Sequence, residues 1–508
     1  MESRLLEILT FCSNNGYQDE VKPFRNLTKK FRNDELLWDT MKQISTKSTM
    51  TFLMYASIRN DIERVNFLLA RNSKVNIQDK YKCTALHYAC ANSNLEIVEL
   101  LLRVPSIDVN ILDKTNCSPL ARAIVAKNNQ KTKRRIYIIV DRLIKAGANI
   151  NWVDYYNNNL LLRAFNQMDS NIVKILIKAG VDINHQNKLG ITPLMLSVNT
   201  YYNHMKSITI CKILLKAGAK VSRVNKENDS ALTIACTNKF GKAINMLIKA
   251  GSMLNNQNNN GESVLHICCN KYHAFDINIF IRAGANVNLQ NNYGETPLHQ
   301  AIENRNMRNV KKLLMQDVCP CYNSSDSSGN TALMCLINLD LSNDRKYNIM
   351  KRTVFIDRLI TLSPDINLTN RNLQTALHFL CEWGNDPENI IKLLNAGSNI
   401  NMKDAYDRTP LYNIVSSYKW RKAHELNSYY EIIEILVRNG ANINIQCEEG
   451  KTIPMIAYLN KDINTIMIFK SLSPISIDYD IKDTNGLDLY KYVKDYESWK
   501  DQQSYDFN

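Results

Sequence analysis

The chain has 508 residues, 45% hydrophobic and 22% charged, with 63 Lys and Arg against 49 Asp and Glu and a net charge of +14. That length exceeds what one core usually organises, so several domains or a repeat array are expected, and the ordinary apolar fraction argues against disorder. An odd 13 Cys, scattered along the chain, exclude a regular disulfide framework, and no run approaches the roughly 18 apolar residues of a membrane span.

The N-terminus carries Glu2 and Glu7 and lacks a basic region leading into a long apolar run, so it does not read as a secretory signal. An intracellular setting follows, with the cytoplasm expected and no membrane partner. Lys, Asn and Ile are used heavily throughout, which points to an AT-rich genome and discounts the positive balance as evidence for nucleic acid.

In chain order, residues 1–48 show helical apolar spacing at Leu5, Leu6, Ile8 and Leu9, and again at Leu36, Leu37, Met41 and Ile44. They predict a helical N-terminal cap. From residue 49 a phrase recurs: Thr84-Ala85-Leu86-His87 returns as Ser263 to His266, Thr296 to His299 and Thr375 to His378. Looser copies begin at Thr51, Ser118, Asn159, Thr192, Ser230, Thr331, Thr409 and Thr452, and the steps Thr51–Thr84, Asn159–Thr192, Ser230–Ser263 and Ser263–Thr296 are each 33 residues. A second phrase follows at fixed offset, as at Ala146-Gly147-Ala148-Asn149-Ile150-Asn151, Ala179–Asn184 and Ala283–Asn288.

Each repeat reads as two helices and a turn. Thr296 caps a helix with its hydroxyl, and Pro297 follows at the first helical position, where a missing N–H costs nothing. Leu298, Ala301 and Ile302 then share one face, and a second helix carries Val310, Leu313 and Leu314. Gly284 suits a left-handed helix end, and Asn291-Asn292-Tyr293-Gly294 a turn between repeats. No isolated repeat buries its apolar face, so stacking must make the fold.

These phrases and their period resemble the ankyrin repeat. The resemblance implies an all-α solenoid of about twelve helix-turn-helix repeats with short β-hairpin-like turns, the array filling 49–480 and a half repeat with a polar tail filling 481–508. Four spacings are long, with the additional residues between the two helices of a repeat, for example Lys127–Arg135, Asn199–Lys206, Asn338–Arg352 and Ser417–Tyr429. They read either as lengthened helices and neutral loops or as a second contact surface. The Asn159 repeat lacks both Thr and Pro, and Asp317-Val318-Cys319-Pro320-Cys321 replaces a Gly phrase; stacking is expected to be weaker at both.

Chemistry is sparse. His87, His266, His299 and His378 occupy the slot whose imidazole, in the family resembled, ties neighbouring loops together. Cys90, Cys236, Cys269 and Cys381 share a small apolar helix slot. No phosphate loop, nucleophile elbow or zinc spacing is present. The expectation is therefore no catalysis, no cofactor and no metal.

What the resemblance implies is protein–protein interaction through the turn tips and the exposed ends of the first helices, which line a concave face. Carried onto this chain, the candidate partner-binding residues are Lys80, Tyr81, Asn92, Tyr155, Tyr156, Lys188, Tyr293, Glu295, Arg371, Trp383, Tyr406 and Arg408. Some of the aromatics are equally readable as packing on the adjacent turn. The expected partner is an unidentified protein, nucleic acid is disfavoured, and the expected state is a monomer. The irregular repeats are similar to those of ankyrin proteins from poxviruses and giant amoebal viruses, which implies a scaffold engaging host proteins in host cytoplasm. Two alternatives stand beside it: a basic nucleic-acid-associated repeat protein, for which Lys131, Lys133, Arg134 and Arg135 are the densest run, and a ubiquitin-ligase adaptor without a recognisable F-box.

Overall fold

In the computed structural model, residues 50–505 are described apart from 127–131, 166, 200–203, 271–275, 316–320, 340–345, 363–364, 385, 423–424 and 473–475. The expected N-terminal cap at 1–48 lies outside the described residues, as do Lys131 and 317–320. The chain divides into two units, Met1–Ser252 and Met253–Asn508.

The first unit contains, among the described residues, six helix pairs: α1 (Phe52–Arg59) with α2 (Ile62–Ala70), α3 (Ala85–Ala91) with α4 (Leu95–Leu102), α5 (Pro119–Ile124) with α6 (Lys133–Lys145), α7 (Leu160–Ala164) with α8 (Ser170–Lys178), α9 (Pro193–Ser197) with α10 (His204–Lys216), and α11 (Ala231–Thr237) with α12 (Gly241–Lys249). First helix packs on first helix and second on second, as α3 on α5 and α4 on α6.

The second unit repeats the plan with α13 (Val264–Cys269) and α14 (Asn278–Arg282), α15 (Pro297–Glu303) and α16 (Met307–Leu314), α17 (Ala332–Ile337) and α18 (Lys346–Leu362), α19 (Ala376–Trp383) and α20 (Pro387–Asn395), α21 (Pro410–Ser416) and α22 (Leu426–Arg438), then α23 (Ile453–Leu459) and α24 (Ile463–Leu472). A last helix, α25 (Leu489–Tyr505), follows. It lies within the segment expected as a half repeat with a polar tail. No strand occurs among the described residues; single antiparallel bridges such as Val153 to Asn159 and Ser325 to Thr331 are the whole of the β-hairpin character.

Each core is the sum of these contacts. Leu86, Ala89 and Cys90 of α3, and Ile97, Val98 and Leu101 of α4, are fully buried, and matching positions recur in every later pair. Burying a Leu, Ile or Val side chain stabilises by about 1.5–3 kcal/mol, and neighbouring repeats supply most of the cover.

The helix starts explain the recurring phrase. Thr296 is extended, its hydroxyl accepts from the His299 amide, and Pro297 opens the helix. His299 Nδ1 accepts from the Thr296 amide at 3.3 Å, which leaves Nε2–H to donate to the Asn330 carbonyl of the next turn at 3.2 Å. His87 reaches Cys117 O, His266 reaches Glu295 O and His378 reaches Arg408 O in the same way. Met54, Met195 and Met455 occupy the equivalent slot in other repeats, where a sulfur accepts from the capping amide and nothing is donated onward. The Asn159 repeat keeps its cap without Thr or Pro: Asn159 Oδ1 accepts from Leu162 N at 3.0 Å, Nδ2 donates to Asp182 O at 2.8 Å, and Leu160 and Leu161 are fully buried.

Among the described residues, the four long spacings carry long second helices, the last also a 3-10 turn at Tyr418–Trp420. α6, α10 and α22 have 13 residues each and α18 has 17, against 8 to 10 for the other second helices except the five-residue α14. Of the basic run, Lys133, Arg134 and Arg135 therefore form the first turn of α6, with Arg135 3.7 Å from Glu96 of α4.

Gly261 and Gly397 separate two reasons for glycine. Both have positive φ, +75° and +91°, but a Cβ on Gly261 would lie 2.6 Å from Asn292 N, whereas one on Gly397 meets nothing. Gly397→Ala is expected to cost about 1 kcal/mol for the left-handed backbone alone, and Gly261→Ala about 1–3 kcal/mol more for the clash. Equal losses in urea unfolding would contradict this geometry.

The four bridging imidazoles have pKa values lowered from 6.5, chiefly by burial. The folded state thus refuses protons that the unfolded chain takes up, so the stabilisation is complete above pH 6.5 and is lost as pH falls below it. Glu295, raised by burial and by Glu303, acts with the opposite sign but is one group against four. Stability is expected to fall between about pH 6.5 and 5.5 by up to about 1.4 kcal/mol per imidazole. His299→Gln should flatten the profile, and a flat wild-type profile across that window would refute the assignment.

Candidate functional site at the turn tips

Most tips are built around one side-chain oxygen. Asp79 Oδ1 accepts from the amides of Tyr81 at 2.9 Å and Cys83 at 2.8 Å, closing the turn from inside. The arrangement recurs at Asp113, Asp154, Asn187, Asn291, Asp326 and Asp404, each with the amides two and four residues on. Reading for the repeated phrase alone misses these residues, although the signal is plain: from Thr84 onward an Asp or Asn stands five positions before all but one of the capping residues, as Asp79 before Thr84 and Asn291 before Thr296. Cys447, before Thr452, breaks the rule.

Neighbouring tips are linked by backbone bonds. In the first unit the Lys114 amide donates to Tyr81 O at 2.8 Å, Lys188 to Tyr156 O at 3.0 Å and Lys226 to Leu189 O at 3.0 Å. In the second, Ser327 donates to Tyr293 O at 2.7 Å and Glu448 to Tyr406 O at 3.0 Å. The tip backbone is thereby fixed on both sides, and its side chains are what remain for contact.

The predicted residues fall into distinct settings. Tyr81, Tyr155, Tyr156, Tyr293 and Tyr406 are 52%, 73%, 65%, 65% and 50% exposed, which excludes full packing against the adjacent turn. Tyr155 and Tyr156 meet edge to face at 5.4 Å, and Lys188 Nζ of the next repeat lies 4.1 Å from the Tyr155 ring centre, so these three form one cluster. Lys80 pairs with Tyr81 at 5.0 Å. Arg408 lies over Tyr406 at 4.6 Å while its guanidinium is held by Asp404 at 2.8 Å.

Other candidates are engaged differently. Asn92 closes the end of α3 through Nδ2 to Tyr88 O at 3.0 Å. Glu295 is half-buried, accepts from Asn291 Nδ2 at 2.7 Å and faces Glu303; burial and that second carboxyl raise its pKa. Arg371 lines an open hollow of about 400 Å³ with Asn330, Asn370 and Phe379. Trp383, at the end of α19, is half-exposed and donates through Nε1 to Asn338 at 3.3 Å. The structure gathers Tyr155, Tyr156 and Lys188 but leaves Tyr293, Arg371 and Trp383 in separate surroundings.

Behind the tips, charges are compensated. Burial would raise the Asp113 carboxyl, but donors from Cys117, Thr115 and Arg122 hold it below its ordinary value, with Arg122 Nε at 2.6 Å. Tyr88 donates to Asp79 and Tyr492 to Asp483 in the equivalent place. Among the described residues no group of His, Cys, Asp or Glu is arranged to hold a metal, and no helix is long and apolar enough to cross a membrane.

Cys90, Cys269 and Cys381 are completely buried, and burial raises their thiols far above the range in which a thiolate forms; Cys83 is pushed up to about 11. Cys321 is the one exposed thiol among the described cysteines. Brief alkylation of the native protein, read by mass spectrometry, should label Cys321 and spare these four. Early labelling of Cys90 or Cys381 would contradict their placement.

Sequence comparisons agree with this construction. Residues 53–154, 132–225, 160–258 and 265–351 match a family model described as ankyrin repeats (3 copies), and 359–411 one described as ankyrin repeats (many copies). Rabankyrin-5 of Mus musculus is 32% identical over 138 residues, 27% of this chain and 11% of that protein. A putative ankyrin repeat protein of Acanthamoeba polyphaga mimivirus is 30% identical over 149 residues, 28% of this chain and 23% of the relative. An ankyrin repeat protein of Variola virus is 26% identical over 198 residues, 35% and 33% of the two chains. The chain therefore spans between 11% and 33% of the length of these relatives. Among solved structures, the ankyrin repeat domain of Bcl-3 aligns with a TM-score of 0.37 at 25% identity, covering 42% of this chain and 91% of that one. With more than half of its residues inside matched repeats, and capped helix pairs stacked through bridged turns, the chain belongs to the ankyrin repeat family.

Proposed function

We propose that the protein is a non-enzymatic interaction scaffold, in which the array at 49–480 binds a partner protein through its turn tips and first-helix ends. The observation that carries this is the combination at the tips of a doubly fixed backbone with exposed tyrosines beside cations, foremost Tyr155, Tyr156 and Lys188. Large rigid aromatics that lose little entropy on binding are the usual anchors of protein interfaces. Ankyrin repeats generally serve protein–protein interaction, and the matched family is not a catalytic one. The relatives in mimivirus, Variola virus and fowlpox virus favour a viral protein that engages a host factor, acting as a monomer in host cytoplasm.

The test is recovery of partners on the intact protein from nuclease-treated and untreated cell extracts, followed by affinity measurement with the purified partner. Tyr155→Ala with Tyr156→Ala is expected to weaken binding by about 2–4 kcal/mol while leaving the unfolding temperature unchanged, since both rings stand in solvent. Loss of every partner after nuclease treatment, or undiminished binding by the double variant together with Tyr81→Ala and Tyr406→Ala, would overturn the reading.

A further inference from the structure

The positive charge of this chain is confined to one unit. Met1–Ser252 holds 37 Lys and Arg against 20 Asp and Glu, whereas Met253–Asn508 holds 26 against 29. A genome-wide preference for Lys codons acts on both units alike, so it does not explain the difference.

Within the first unit the excess collects on the second helices. α8, α10 and α12 contain no Asp or Glu, and they pack side by side, α8 on α10 and α10 on α12. Lys174, Lys178, Lys212, Lys216, Lys242 and Lys249 are all exposed, and among the described residues none lies within ion-pair distance of a carboxylate. The contrast with other second helices is direct. Arg142 of α6 meets Glu99, Lys392 of α20 meets both Asp357 and Glu388, and Arg438 of α22 meets Glu434.

Folding does not ask for this arrangement. Lys178, Lys216 and Lys249 end their helices, where a cation is favoured. Lys174 and Lys212 each sit four residues before another lysine and repel it. Lys242 lies in the first turn of α12, where a cation opposes the helix dipole. The three helices carry no Phe, Tyr or Trp to stack on bases or enter a protein pocket, and no Arg to grip a base edge. What they offer is evenly repeated point charge across two interhelical steps of about 8–10 Å each. A nucleic-acid duplex carries roughly ten phosphates over that length.

We propose that the outer face of α8, α10 and α12 binds the phosphate backbone of a nucleic-acid duplex without reading its sequence, independently of the tip surface. The test is fluorescence anisotropy of the intact protein with labelled mixed-sequence DNA and RNA duplexes between 50 and 200 mM salt. Affinity is expected to fall by about 10²–10³-fold across that range, as for four to six phosphate contacts. The variant Lys174→Gln, Lys178→Gln, Lys212→Gln, Lys216→Gln should bind at least about ten-fold more weakly at 100 mM salt, with a salt slope reduced by about 3–4. The matching Lys→Arg variant should bind like the wild type, which separates lost charge from lost folding.

Absence of duplex binding at 50 mM salt, an unchanged slope in the Gln variant, or equal affinity for polyglutamate or phosphatidylserine vesicles would overturn the proposal. Tyr155→Ala with Tyr156→Ala should leave duplex binding intact. Failure of the tip reading and failure of this one are therefore distinguishable.

Discussion

A surface made of loops is useful for recognition only if the loops do not move, and a loop's own amides and carbonyls resist that by preferring water. Here the difficulty is met by a single acceptor per turn: an Asp or Asn oxygen that takes two amides of its own loop, as Asp79 takes those of Tyr81 and Cys83. With those donors engaged, the outermost amide is left to reach the preceding tip, as Lys114 reaches Tyr81. The capping Thr, the imidazole beneath it and the aromatics above it all take their positions from that closed turn. Leaving such an oxygen out would strand two buried donors, each costing about 1–3 kcal/mol. Asp or Asn accordingly fills the place in turn after turn, with Thr46 before the first cap and Cys447 before Thr452 as the exceptions.

Much of this architecture is legible without coordinates, and for identifiable reasons. Thr296, Pro297, Leu298 and His299 each perform a local task that narrows the residue types able to do it, the Leu place most of all, so the phrase survives repetition. The long spacings are equally visible, but where their residues go is not. Apolar periodicity through 133–145 and 426–438 is continuous with the second helix, and only the structure shows that most of what is described there extends it. The turn oxygen escapes a reading centred on the helix phrase because Asp and Asn are also ordinary loop residues. Its constant offset of five from the cap is the mark that gives it away.

The same holds for the surface. Tyr155, Tyr156 and Lys188 lie in consecutive repeats, and nothing in the linear order places a ring of one against the ammonium of the next; the bond from the Lys188 amide to Tyr156 O does that. Glu295, by contrast, resembles a tip residue in sequence but is drawn into the turn by Asn291 and into proximity with Glu303. Averaging over the whole chain also conceals charge. A net +14 looks like a uniform compositional drift until the boundary at Ser252 divides it into a basic unit and a nearly neutral one.

Two of the residue types that fill the slot three residues after the cap differ in reach. His87, His266, His299 and His378 speak to both the cap behind and the turn ahead, while Met54, Met195 and Met455 answer only the cap. In a one-dimensional array, stability divides into the worth of each repeat and the coupling between neighbours. A histidine contributes to both quantities and a methionine to the first alone. The coupling between neighbouring repeats is therefore expected to be uneven within each unit, stronger where a histidine bridges than where a methionine stands.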